Sequence, residues 1–224
     1  LLVEDFDRDR SAELLVMRHS PTSSAGTATL LRYKSGRMAV AGQAQLSAGI
    51  SMPTQVLYDH IAPGEPAVIV DAQVGEAGFV TDILQFTSGK LQNLLYDAAW
   101  RGSQASYRPF NSLSRDINGD GVVEIPLMTP WPGHKTGSEA SADAEAGTLY
   151  RMDWCVWDGQ TGLRKLFSSY YDDKQRWYFE IPETLLPSIT VENVRISAVM
   201  DSVLFREYNS ETEVAGATLW AIYY

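Results

Sequence analysis

Two nine-residue stretches of the chain place oxygen-bearing side chains at alternating positions. In Asp116–Ile117–Asn118–Gly119–Asp120–Gly121–Val122–Val123–Glu124 they stand at positions 1, 3, 5 and 9, with glycine at 4 and 6. Hard cations such as calcium take roughly six to eight oxygen ligands at about 2.3–2.6 Å. Alternating acids on a tightly turning loop can supply such a set. Here Asp116, Asn118, Asp120 and Glu124 offer side-chain oxygens and Val122 offers its carbonyl. The glycines allow positive φ where the chain doubles back. Asp, Asn and Gly are also ordinary turn residues, so a turn without metal is the competing reading. A second copy opens the chain, with Asp5, Asp7, Asp9, Ser11 and Glu13 at the odd positions and Arg8 and Arg10 where the glycines stood. Arginine is strained at positive φ, and two cations beside the acids weaken the pull on an ion. This copy is therefore expected to bind calcium poorly or not at all, its arginines pairing with the acids.

Position 12 counted from Asp116 is Leu127, not the carboxylate of an EF-hand. The closing acid is Glu124 and the next residue is Ile125, so the loop runs into a strand, as Glu13 runs into Leu14–Leu15–Val16. Two such D-x-[DN]-x-D-x-x-x-E loops resemble the FG-GAP repeats of integrin-like β-propellers and the related calcium loops of bacterial surface proteins. The resemblance implies a propeller-like or partial, pseudo-propeller fold with bound Ca2+. It also implies an exported bacterial protein, surface-exposed or lipid-anchored, that binds a protein or glycan partner and is not an enzyme. Ala62–Pro63–Gly64–Glu65–Pro66 stands where another acid loop would fall, and no metal is expected there.

Repeats give the elements that must position these loops. Tyr33–Lys34–Ser35–Gly36 matches Phe86–Thr87–Ser88–Gly89 at an offset of 53 (86 − 33), and Glu13–Val16 matches Pro66–Ile69 at the same offset (66 − 13). Further hairpins are read at Trp154–Gly159 and Val203–Ser210. Val, Leu, Tyr, Phe and Trp dominate between the turn residues, as strands prefer. The expected fold class is all-β, made of repeated antiparallel blades in a single repeat domain. Its units fall near 1–58, 59–112, 113–190 and 191–224, with an exposed loop insertion at 133–147 rich in Gly, Ser, Ala and acid.

The net charge of −10 argues against nucleic acid and anionic membrane surfaces as partners. No apolar run approaches the ~20 residues of a membrane span. Cys155 is the lone cysteine, so no internal disulfide forms, and its strand setting predicts a buried, inert thiol. The chain begins in what already reads as a strand, which suggests a processed piece of a longer protein.

The half after Tyr150 is rich in aromatics. Alternation puts Met152, Trp154 and Val156 on one strand face, with Trp154 in the core, and leaves Trp157 at the turn. Trp157, Tyr170, Tyr171 and Trp177, near Asp172 and Asp173, are candidates for a ligand platform. Packing between blades is the alternative use of the same rings. No H-E-x-x-H, G-x-S-x-G, Walker or G-x-G-x-x-G motif is present, and His19, His60 and His134 lack metal-ligand spacing. His19 and His60 are expected at surface loop positions. The alternative function is a carbohydrate-active enzyme using clustered carboxylates beside aromatic platforms.

Overall fold

The structure is a computed structural model and describes residues 1–19, 25–75, 78–134, 148–172, 177–197 and 200–224. The expected loop insertion lies, from residue 135 onward, outside the described residues. The chain is all-β, a succession of antiparallel, blade-like meanders. The first sheet joins β1 (Leu2–Glu4), β2 (Glu13–Arg18), β3 (Ala25–Lys34) and β4 (Arg37–Ala48) in chain order. The second joins β5 (Ile50–Ala62), β6 (Glu65–Val74), β7 (Gly78–Thr87) and β8 (Lys90–Asn93). The third holds β9 (Ile125–Pro130), β10 (Tyr150–Trp157), β11 (Leu163–Asp172) and β12 (Trp177–Ile181). The last has three strands, β13 (Ile189–Ser197), β14 (Met200–Asn209) and β15 (Val214–Tyr223).

All four expected hairpin turns lie between strands. Two have one geometry: Ser35 and Gly36 at φ 53° and 82°, and Ser88 and Gly89 at 51° and 73°. Two consecutive positive φ values make the two-residue turn whose twist suits a hairpin. The other two are closed by a side chain. Asp158 Oδ1 accepts the N–H groups of Gln160, Thr161 and Gly162 at 2.7, 2.9 and 3.1 Å. Asn209 Oδ1 accepts those of Glu211 and Thr212 at 2.9 and 3.0 Å.

The chain divides into two compact units. They are Leu1–Leu127 with Cys155–Lys165, and Met128–Trp154 with Leu166–Tyr224. The expected boundary at 58/59 falls inside β5, because the sheets actually part at Gly49, φ 72°. The repeat motifs at Glu13 and Pro66 mark the second strand of each sheet, so a division drawn from them comes late. The boundary at 190/191 likewise falls just inside β13.

In the first unit β6 and β7 are buried on both faces, and period-2 alternation sorts them. Val68, Val70, Ala72 and Leu84 join a core with Leu15, Leu30 and Leu46. Ala67, Ile69 and Ile83 join another with Ile61, Val123, Ile125 and Trp157. The second unit centres on Trp131, Tyr170, Ile189, Val203 and Phe205. Among the described residues no helix is long and apolar enough to cross a membrane.

Inside the first unit an ion pair, Asp71 with Arg108, is wholly buried. Asp71 of β6 accepts from Arg108 Nη2 at 2.8 Å, Thr81 Oγ1 at 2.6 Å, Ser114 N and Oγ at 2.8 Å each, and Gln55 Nε2 at 3.1 Å. Arg108 Nη1 also reaches Thr81 Oγ1 at 2.9 Å, and neither partner of the ion pair is exposed. The pair ties the irregular segment between β8 and β9 to the sheet. Nearby, buried Asp82 of β7 accepts from Ser47 N and Oγ and from Ser103 Oγ at 2.9, 2.7 and 2.5 Å.

Candidate metal loops

Each acid loop is a detour between two backbone partners. Glu4 pairs with Glu13 across the first loop, and Arg115 bridges Glu124 across the second. The chain must leave and re-enter one ladder within nine residues, so it coils tightly. Positive φ occurs at positions 4 and 6 of both: Arg8 61°, Arg10 72°, Gly119 79° and Gly121 85°. Arginine was expected to resist this conformation, yet it adopts it at a cost of about 1 kcal/mol or more each.

The internal hydrogen bonds repeat position by position. The first acid takes the N–H of position 5, Asp9 to Asp5 at 3.0 Å and Asp120 to Asp116 at 3.1 Å. It also takes that of position 6, Arg10 to Asp5 and Gly121 to Asp116, both at 2.9 Å. Position 3 accepts from position 5, Asp7 from Asp9 at 3.1 Å and Asn118 from Asp120 at 2.8 Å. Position 5 accepts from position 7, Asp9 from Ser11 at 2.8 Å and Asp120 from Val122 at 2.9 Å. The closing glutamate accepts from position 2, Glu13 from Phe6 at 3.0 Å and Glu124 from Ile117 at 2.9 Å. Both glutamates are buried while most of each loop is exposed.

The loops differ at the centre. In the first, Arg32 of β3 enters among the acids, donating from Nε to Glu13 Oε1 at 3.2 Å and from Nη2 to Asp7 Oδ2. Oxygens of Asp5, Asp7 and Glu13 lie within 4.8 Å of one another. The cation that answers them is thus Arg32, not the expected Arg8, whose Nη2 turns away to the Gly64 carbonyl at 2.7 Å. In the second loop the neutral amide of Asn118 holds the centre, donating from Nδ2 to Asp120 Oδ2 and Glu124 Oε1 at 3.1 Å each. Burial pushes the Glu124 carboxyl up to about 7, and Asp120 and Asp116 add to the rise against the Ile117 N–H. A buried carboxylate that resists its own charge is a site where a cation would be stabilising.

Of the four aromatic candidates Trp157 and Tyr170 are buried, and Tyr171 and Trp177 are half-buried. Trp157 is buried in the core with Ile61 and Ile69 despite its place at a turn. Tyr170 is buried and stacks on Trp177, ring centroids 5.4 Å apart, and Tyr171 meets Trp154 edge-on at 5.7 Å. Both faces of β10 are covered, so alternation could not tell which ring was outside. Cys155 is buried as expected. His60 is exposed within β5 beside Asp59, while His19 is half-buried and burial lowers its pKa. His134 is structural, its Nε2 2.9 Å from the Val191 carbonyl and its Nδ1 accepting from Leu149 N at 3.3 Å. Sequence reading missed Arg32 and the buried Asp71–Arg108 pair. The signal for the latter was an acid inside the apolar run Ala67–Ala72.

No protein-family model matches the chain, and no curated protein matches it significantly. Among solved structures it is similar to the periplasmic gluconolactonase of Pseudomonas aeruginosa, at 11% identity, covering 97% of this chain and 84% of that one, with a TM-score of 0.30. At that score the likeness carries no weight, and the fold class rests on strand order.

Proposed function

We propose that the chain is a calcium-stabilised, propeller-like module of an exported bacterial protein that serves protein or glycan binding. The ion is held in the Asp116 loop by Asp116, Asn118, Asp120, Glu124 and the Val122 carbonyl. The observation that carries the reading is the second loop itself. Asp116 and Asp120 accept backbone N–H groups across its coil, it closes on a buried glutamate, and the cross-link between Asp120 and Glu124 is a neutral amide, Asn118. Asn118 would turn its oxygen inward when an ion arrives. The first loop is the same coil already served by Arg32. Partner binding draws on surface aromatics other than those the sequence singled out: Trp100, Tyr107 and Phe110 are 64%, 55% and 56% exposed. Exposed rings of this kind commonly mark contact surfaces.

Binding to the folded state raises stability by mass action. Wild-type protein is expected to melt higher in calcium than in chelator. Asp120→Ala should erase that gap and Asp9→Ala should keep most of it. A calcium shift that survives Asp120→Ala, or that vanishes in Asp9→Ala, overturns the assignment.

A further inference from the structure

An asparagine loses its side-chain amide when the next backbone nitrogen attacks its side-chain carbon. A side chain on the following residue hinders that approach, and glycine has none. Only Asn118 is followed by glycine; Asn93, Asn111, Asn193 and Asn209 precede Leu94, Ser112, Val194 and Ser210. Asn118 and Gly119 are both exposed, and a Cβ built on Gly119 would meet nothing within 4 Å. Sterically the pair is open.

Hydrogen bonds hold it back. Gly119 N, the attacking atom, donates to Asp116 Oδ1 at 2.7 Å. The Asn118 amide is held at both ends. Its Oδ1 accepts from Asp120 N at 2.8 Å, and its Nδ2 donates to Asp120 Oδ2 and to Glu124 Oε1 at 3.1 Å each. A nitrogen whose proton is engaged and an amide that cannot turn freely react slowly, so the reaction waits for the coil to open.

We propose that Asn118 is a deamidation site guarded by the coil of its own loop, and that its conversion removes the cross-link between positions 3 and 9. Once the loop opens, Gly119 N gives up its proton and attacks Asn118 Cγ. The N–Cγ bond forms, the Cγ–Nδ2 bond breaks, and Nδ2 leaves as ammonia. Water then opens the cyclic imide, at one carbonyl to give aspartate and at the other to give isoaspartate. The sum is amide and water to carboxylic acid and ammonia, with nothing oxidised or reduced.

Either product replaces the donating amide with an acceptor-only carboxylate. Aspartate at 118 gives this loop the acids of the first, Asp5, Asp7, Asp9 and Glu13. There Arg32 joins Asp7 to Glu13, positions 3 and 9. In the second loop the group that joins those positions is the Asn118 amide itself. Its loss leaves two acids facing each other, and like charges at that range oppose ionisation and folding. No ion takes part, and chelator keeps the outcome independent of calcium binding.

The test is peptide mass spectrometry of the 224-residue chain in mildly alkaline buffer with chelator, folded and in urea. In urea Asn118 is expected to convert before the other asparagines. In the folded chain it should convert at least about tenfold more slowly, as for a reaction that waits on local opening. Asp116→Ala releases Gly119 N and should speed the folded reaction. Wild type in urea too dilute to unfold it reads the same opening without a substitution, and its rate should climb. Asn118→Asp, made directly, should melt below wild type in chelator, and below Asn118→Ala, which loses the donor without adding charge. The proposal is overturned by a folded chain in which Asn118 converts as fast as in urea or not at all, by a reaction no faster in Asp116→Ala and in dilute urea, by another asparagine converting first, or by Asn118→Asp melting no lower than Asn118→Ala.

Discussion

The Asp5 and Asp116 loops share a coil and differ in what answers its negative charge. The first is closed by an arginine from the neighbouring strand, fixed by the covalent chain and always charged. The second is closed by an uncharged amide and a glutamate whose ionisation burial opposes. The hydrogen-bond pattern is shared, so on the proposed reading ion uptake turns on whether a side chain outside the loop already delivers a cation to its centre.

The largest effect expected from breaking this comparison comes from Arg32→Met. It leaves Asp7 and the fully buried Glu13 without their cation. Because Arg32 itself is part-exposed, the loss should be about 2 kcal/mol, below the ~3–5 of a wholly buried pair. Calcium should now restore part of that loss, which urea melts with and without calcium would read. An Arg32→Met protein no more responsive to calcium than wild type would mean that the guanidinium does not stand in for an ion.

The next effect is one of pH. Glu124 binds its proton more tightly in the folded chain, at about 7, than in the unfolded chain, where a glutamate titrates near its ordinary 4.5. In chelator, ionising it therefore costs stability as pH rises from about 4.5 to about 7, and stability is regained on acidification. Glu124→Gln should flatten that part of the profile. Added calcium should reverse the slope in wild type by favouring the carboxylate. An unchanged profile in Glu124→Gln would assign the slope to other groups.

The smallest effect is conformational. Gly121→Arg should cost about 1 kcal/mol, and Arg10→Gly should gain somewhat less, since each moves a positive-φ position toward or away from a strained residue. Equal melting temperatures for all three proteins would show that the coil relaxes around its side chains.

Much of the fold was readable because hairpins announce themselves locally. Ser35–Gly36 and Ser88–Gly89 supply the turn chemistry within two residues, and Asp158 and Asn209 cap their own turns. The acid loops were equally local. The partner of the first loop was not, for Arg32 lies 25 residues from Asp7 and reaches it only once β2 and β3 have paired. Trp157 misled for a related reason: a turn position suggests exposure, and the apolar residues that cover it come from Ile61, Ile69 and Val123, far away in sequence. The extent of β5 was hidden because Ser51, Pro53 and Thr54 do not read as a strand, although Met52 and Pro53 pair with Gln73 and Ala72 of β6 and the ladder passes Ser51 and Thr54 as register shifts.

The buried Asp71–Arg108 pair has a consequence for how the first unit comes apart. The stretch from Leu94 to Arg115 has little regular structure, and a chain of that kind would ordinarily open and close by itself and be cut early by a protease. Here it cannot lift without stranding a carboxylate and a guanidinium in an apolar interior, together with the Ser114 and Thr81 hydroxyls that share them. Its opening is thereby joined to the unfolding of β6 and β7. Cleavage within it should track the global unfolding equilibrium, and Asp71→Asn should uncouple the two, letting the stretch be nicked while the sheets still hold.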